Sequence, residues 1–184
     1  MDTHLTTTDL ETGLAELGTS PQDNGILEMI VCRPSRGERR ILETADLHEA
    51  EGMIGDNWLA RGSKSTPDGS ANAEAQITLM NSRVIQAITQ DRSRWALAGD
   101  QLYVDLDISE ENLPPGQRIA IGTVILEISS LPHTGCASFT ERFGHDAIRW
   151  VNSPEGRQQR RRGVNARIVQ GGSIRQGDVV RKLP

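Results

Sequence analysis

Apolar residues change their spacing along this chain, and each change predicts an element. Leu10, Leu14 and Leu17 recur at i, i+4 and i+7 before Gly18 and Ser20-Pro21, which predicts a short amphipathic helix docked on the main domain. From Gly25 the period shortens towards two. Residues 26–32 read as a strand ending at Arg33-Pro34, with Cys32 inside it, and residues 39–42 start its partner. Residues 61–70 form a polar loop rich in Gly, Ser and Pro; residues 76–80 predict a strand and 81–91 a helix that buries Val84, Ile85 and Ile88.

The second half alternates more strictly. Leu102, Val104, Leu106 and Ile108 interleave with Gln101, Tyr103, Asp105 and Asp107, which predicts one face in a core and the other in water. Residues 118–121 and 124–128 flank Gly122-Thr123, the clearest hairpin in the chain. A strand at 164–169, a turn at Gly171-Gly172 and a closing strand at 178–181 follow. About eight short strands with few helices predict a mainly β fold, a small closed antiparallel β-barrel with short helices at its rim. Residues 1–24 read as a tail plus helix and residues 25–184 as the barrel domain. Neither a G-x-G-x-x-G turn after a strand nor a P-loop is present.

The chain's 184 residues fit one domain. With 3 Trp, 1 Tyr and 2 Phe, base stacking has little to work with and the core falls to aliphatic residues. A net charge of −5 argues against a general nucleic-acid binder, although residues 142–184 carry ten basic residues against three acidic ones. No apolar run approaches the roughly 18 residues of a membrane helix, so a soluble, cytoplasmic protein without membrane or nucleic-acid partners is expected. Cys32 and Cys136 offer no C-x-x-C and no framework of pairs, so neither a zinc cluster nor a disulfide scaffold is expected.

Residues 129–163 hold the candidate chemistry. Ser138 and Glu141 form an S-x-x-E pattern, which predicts Ser138 as a helix N-cap, and Phe139, Phe143, Ala147 and Trp150 give that helix a buried face. Cys136 would precede the cap, where the positive end of the helix favours a thiolate, or it would be a small buried plug. His133 would orient or deprotonate that thiol, or serve as a surface hydrogen-bonder. Ser153-Pro154 opens another helix ending before Gly163. Its Arg160-Arg161-Arg162 run reads as a solvated helix terminus rather than a nucleic-acid patch.

Several segments together resemble the MOSC domain, the C-terminal domain of molybdenum cofactor sulfurases. They are Gly52-Met-Ile-Gly55-Asp56, Gln76-Ile-Thr-Leu-Met80, Leu102-Tyr-Val with Leu113-Pro-Pro-Gly116, the hairpin from Ile121 to Glu127, and above all the segment from Pro132 to Cys136. The resemblance implies a β-barrel that binds a molybdenum cofactor (molybdopterin), with Cys136 as thiolate ligand to the metal or as sulfur carrier. His133 would stand beside Cys136 in the chemistry, with Thr134 and Gly135 as candidate cofactor contacts; by loop chemistry Arg61, Lys64 and Arg83 are the nearest basic candidates for such contacts, or else solvated surface residues. Where many members carry a basic residue before the Q-[IV]-T-L strand, this chain has Ala75; where many read E-N-L, it reads Asp100-Gln101-Leu102. The pyridoxal phosphate domain of full sulfurases does not fit in this length, so that cofactor belongs to a separate partner if it is involved at all. Three functions follow: a molybdenum-dependent oxidoreductase component reducing N-hydroxylated or similar small substrates with an external electron-transfer partner; a Cys136 persulfide carrier served by a cysteine desulfurase; or a molybdenum-free thiol redox module.

Overall fold

The computed structural model describes residues 4–184; the first three residues of the predicted tail lie outside this range. Seven strands close a barrel in the order β1 (Gly25–Cys32), β11 (Val179–Lys182), β7 (Arg118–Ile121), β8 (Val124–Ile128), β9 (Val164–Gln170), β5 (Ile77–Asn81) and β6 (Leu102–Asp105), which returns to β1. All neighbours are antiparallel except β5 and β6, which run parallel. β2 (Arg40–Leu42) pairs only with the second half of β1, whose first half pairs with β11. β10 (Gly172–Arg175), β3 (Thr44–His48) and β4 (Gly52–Met53) form a small separate sheet. The predicted Gly171-Gly172 turn therefore sends the chain out of the barrel rather than into a hairpin.

Two apolar layers explain the strand sequences. Leu27, Ile30, Cys32, Ile77, Leu79, Leu102, Val104, Leu126 and Ala166 fill the barrel, while Met29, Val31, Met80 and Tyr103 point outward into a second core under the helices. A bulge between Leu27 and Met29 shifts the alternation of β1, so Ile30 and Cys32 face the same interior as Leu27. The expectation that Tyr103 faces water is overturned: its ring is fully buried and its hydroxyl donates to the Trp95 carbonyl oxygen at 2.7 Å. Helices on the outer face turn a half-exposed strand into a doubly buried one.

The covering layer is α1 (Thr7–Leu17), α3 (Ser82–Thr89), α4 (Ala137–Asn152) and the 3-10 segment Arg92–Ala98. Thr6 and Asp9 cap α1 reciprocally. Leu10 is fully buried and Leu14 partly, but Leu17 stays exposed, so the predicted stripe docks by two positions rather than three. α2 (Trp58–Arg61) and α5 (Pro154–Gln158) are short connectors, the latter capped by Ser153 with Pro154 in its first turn. No helix among the described residues is long and apolar enough to cross a membrane.

Candidate functional site

Arginines from distant parts of the chain converge on one turn, residues 97–100, where the 3-10 segment ends at Gly99 in the left-handed conformation. Arg142 of α4 donates to the Leu97 carbonyl at 2.5 Å, Arg162 to Ala98 at 3.0 Å, and Arg33, at the end of β1, to Gly99 at 3.1 Å. A Cβ on Gly99 would lie 3.3 Å from Nη2 of Arg39, which places that guanidinium against the same turn. Carbonyls at the end of a helical segment carry partial negative charge, so cations collect there naturally.

Asp100 completes the turn and is wholly buried. It accepts from Arg162 at 2.6 Å and sits 2.8 Å from His133 Nε2. Burial works against its ionisation, but Arg162 and then His133 outweigh it and hold the carboxyl below its ordinary pKa. For His133, burial and then Arg162 lower the imidazole pKa, with Asp100 opposing but not reversing the shift. Its ring lies over Gly163, where a Cβ would come 3.1 Å from His133 Cδ2 and 2.4 Å from the Leu79 carbonyl. With φ at +108°, that position also suits only glycine. Arg162 stacks over Phe139 at 5.0 Å.

Asp56 matches Arg33, accepting from Nε at 2.9 Å and Nη2 at 3.1 Å in a two-point ion pair. Among the described residues Arg39 has no such acid. It donates to the Glu38 carbonyl, its Nε is buried without a partner, and burial followed by the charges of Arg142 and Arg33 holds its pKa below the ordinary arginine value. Arg61 feels the same field. Burial and then Arg33 lower its pKa, partly offset by Asp56, although the residue as a whole is exposed. Nε of Arg162 is likewise buried and unpartnered. Among the described residues, Asp56 and Asp100 are the carboxylates that hydrogen-bond to the cluster of Arg33, Arg39, Arg61, Arg142 and Arg162, so positive charge is in surplus.

Cys136 is itself the N-cap of α4, so the cap lies two residues before the predicted Ser138, which is exposed inside the helix. The Cys136 carbonyl accepts from the amides of Phe139 and Thr140, and its thiol is exposed rather than a core plug. Gly144, at φ +89°, breaks α4 into two helical pieces, and the far piece folds back on the cysteine loop. Gly135 donates to Asn152 Oδ1 at 3.2 Å, and a Cβ there would strike Ile148 Cδ1 at 2.3 Å. Gly135 thus has a packing role, set by how tightly the loop lies on α4.

Thr134 beside it and Lys64 in the 62–72 loop are both exposed. Arg83 stands apart from the cluster: it pairs with Asp105 at 2.8 and 2.9 Å and donates to the Leu17 carbonyl, in a groove of about 590 Å³ beside α1. The Arg160–Arg162 run corrects the expectation of a solvated terminus. Arg160 donates to the carbonyls of Ile108 and Leu113, Arg161 bridges Glu11 and Glu155 over the Trp150 ring, and Arg162 joins the Asp100 cluster. The site thus unites His133 and Arg61 with Arg33, Arg39, Asp100, Arg142 and Arg162, none of which the sequence singled out as site residues. Asp100-Gln101-Leu102 was visible as a departure from E-N-L, and that was the one usable signal; a buried arginine looks like any other in sequence.

A family model described as the MOSC domain matches residues 66–181. Among solved structures, the YUAD protein from Bacillus subtilis superposes with a TM-score of 0.65 at 14% identity, covering 85% of this chain and 94% of that one. YiiM from Escherichia coli superposes at 0.56 and 13% identity, covering 86% of this chain and 70% of its own. A structure described only as a hypothetical protein gives 0.59 at 14% identity, with 89% and 69% covered. No curated protein matches the sequence.

Proposed function

The chain belongs to the MOSC domain family, and from that premise we propose that it binds a molybdenum cofactor, with the arginine cluster holding the anionic end of the pterin and the Cys136 thiolate ligating the metal. The family is associated with molybdenum cofactor binding or sulfur-related function. One observation carries the reading: among the described residues Arg39 has no hydrogen-bonded acid, its Nε is buried without a partner, and Arg142 and Arg33 crowd it, an arrangement that a bound anion would relieve. A phosphate suits a cluster of forked guanidinium donors, so the donor set fits the group.

When bound, the molybdenum centre would supply two-electron redox chemistry, for the reduction of N-hydroxylated or similar small substrates with electrons from an external partner. The chain's own part is binding and orientation. Arg39, Arg142 and Arg61 would hold the anionic end of the cofactor, while Arg33 and Arg162 keep the 97–100 turn in place through the Gly99 and Ala98 carbonyls. Cys136, at a helix N-terminus and open to solvent, offers sulfur to a soft metal. The same exposure supports a second reading, a Cys136 persulfide carrier, because a sulfur handed to a partner must be reachable.

Elemental analysis of the purified protein and of Cys136→Ser decides between them. Near-stoichiometric molybdenum in the wild type, falling at least about tenfold in the variant, supports the ligand role, since a serine hydroxyl gives no thiolate. Persulfide on the Cys136 peptide without molybdenum supports the carrier. Neither molybdenum nor persulfide, after expression with the cofactor supplied, overturns both.

A further inference from the structure

Gly144 divides α4 into two pieces that hold the two ends of the Gly135-Cys136 step. The near piece starts from Cys136, its N-cap, and carries Arg142, which donates to the Leu97 carbonyl at 2.5 Å. The far piece holds Gly135 through Asn152 Oδ1 at 3.2 Å and through the packing of Ile148. At Gly144 the backbone is non-helical, with φ +89° and ψ 172°, so the angle between the pieces depends on one glycine and on what packs against it. A Cβ at Gly144 would lie 2.7 Å from Cβ and Cγ of His4 and 2.8 Å from its Nδ1. The His4 side chain therefore occupies the space at the kink that a larger residue would need. The chain that follows His4 is anchored to the far piece: the Thr7 amide donates to Asp146 Oδ2 at 3.2 Å, and Glu11 accepts from Trp150 Nε1 at 2.6 Å. Leu5 and Leu10 pack into the outer core that also contains Phe139 and Phe143 of the near piece.

We propose that residues 4–11 form a strap across the α4 kink and that His4 is a positioning residue, which by filling the kink fixes the near piece and with it the placement of Cys136 and Arg142 against the 97–100 turn. The far piece needs no such support, because Thr7 and Glu11 hold it directly. The near piece has its phenylalanines in the core, but its direction relative to the far piece is set at Gly144, where His4 rests. This rests on the proposed function only for what Cys136 and Arg142 bind; the strap itself is a statement about the fold.

Amide hydrogen exchange on the intact protein, without ligand, tests it. His4→Ala deletes the ring and should speed exchange of the amides of residues 139–143 by at least about threefold while residues 147–152 keep their wild-type rates. His4→Phe restores a ring of similar shape and should return residues 139–143 to wild-type exchange. Phosphate affinity, read by calorimetry, should fall by at least about threefold in His4→Ala and recover in His4→Phe, because Arg142 travels with the near piece. Unchanged exchange in His4→Ala, acceleration spread evenly over both pieces, or failure of His4→Phe to restore protection overturns the strap. Local acceleration with unchanged phosphate affinity refutes the positioning role. Exchange is measured in the free protein, so a chain that binds neither phosphate nor molybdenum loses the cofactor reading while the strap stands or falls on exchange alone.

Discussion

Arg162 and Asp100 meet at 2.6 Å across 62 positions of sequence, and both side chains are removed from solvent. An ion pair of this kind, with Asp100 also held by His133 and Arg162 also bonded to the Ala98 carbonyl, is satisfied on nearly every side. Its removal from one side is therefore costly. Arg162→Met should destabilise the fold by about 3–5 kcal/mol, because the Asp100 carboxylate is left buried with one neutral imidazole. Chemical denaturation measures the loss, and a change below about 1 kcal/mol would show that the pair is dispensable.

Arg39 should behave in the opposite way. Its guanidinium is desolvated and repelled by Arg142 and Arg33, so Arg39→Gln should leave the melting temperature unchanged or raise it. Anion binding in the same variant should weaken by about 10- to 100-fold, the value of one or two charge-assisted hydrogen bonds. Thermal melts and phosphate titrations on the same preparation check both halves.

Acid should weaken the fold through two groups. His133 titrates below its ordinary 6.5 when folded, so the unfolded chain binds the extra proton first; the stabilisation is complete above 6.5 and is lost as pH falls towards the folded value. Asp100 is also lowered, from an ordinary 3.8, so its contribution is present above that value and disappears below it. Stability measured against pH should fall in both windows, and His133→Phe should remove the upper one and shrink the lower one, because His133 also helps to hold the Asp100 carboxyl down.

The two cysteines should separate cleanly under alkylation. Cys136 is exposed, whereas Cys32 lies in the barrel with its thiol pushed up by burial and then by Asp56. Peptide-resolved mass spectrometry near neutral pH should find Cys136 modified at least about tenfold faster. Comparable rates would mean that the barrel opens readily.

Gly135→Ala tests packing in the cysteine loop. The added methyl collides with Ile148, so a destabilisation of about 1–3 kcal/mol is expected, and pairing it with Ile148→Ala should recover part of the loss. An unperturbed Gly135→Ala protein would show that the loop moves freely.

The barrel was legible because its signals are local. Period-two apolar runs, the Gly122-Thr123 connection and the Ser153-Pro154 helix start each depend on residues close in sequence. Errors arose where distant segments decide the outcome. Tyr103 alternates like a solvent-facing residue but is covered by the helical layer. Ser138 with Glu141 imitates a capping box, yet Cys136 ends the extended segment first. Arg162 sits in a run that local rules assign to a helix terminus, and only Asp100, brought there by the pairing of β5 with β6 and β9, draws it inward. Arg33 and Arg39 went unnoticed because their meaning depends on Gly99, about sixty residues away.

The barrel closes between its first and last strands, Gly25 against Val180 and Ile26 against Val179. Site residues are dealt out along the same path, from Arg33 through Asp100 and His133 to Arg162. During synthesis the ribosome therefore releases Arg33 and Arg39, in the connection after the first strand, long before the acid, the imidazole and the final arginine that give them a purpose. Any chain halted before residue 162 has no complete site, whatever it has folded into, and competence to bind arrives in a single late step.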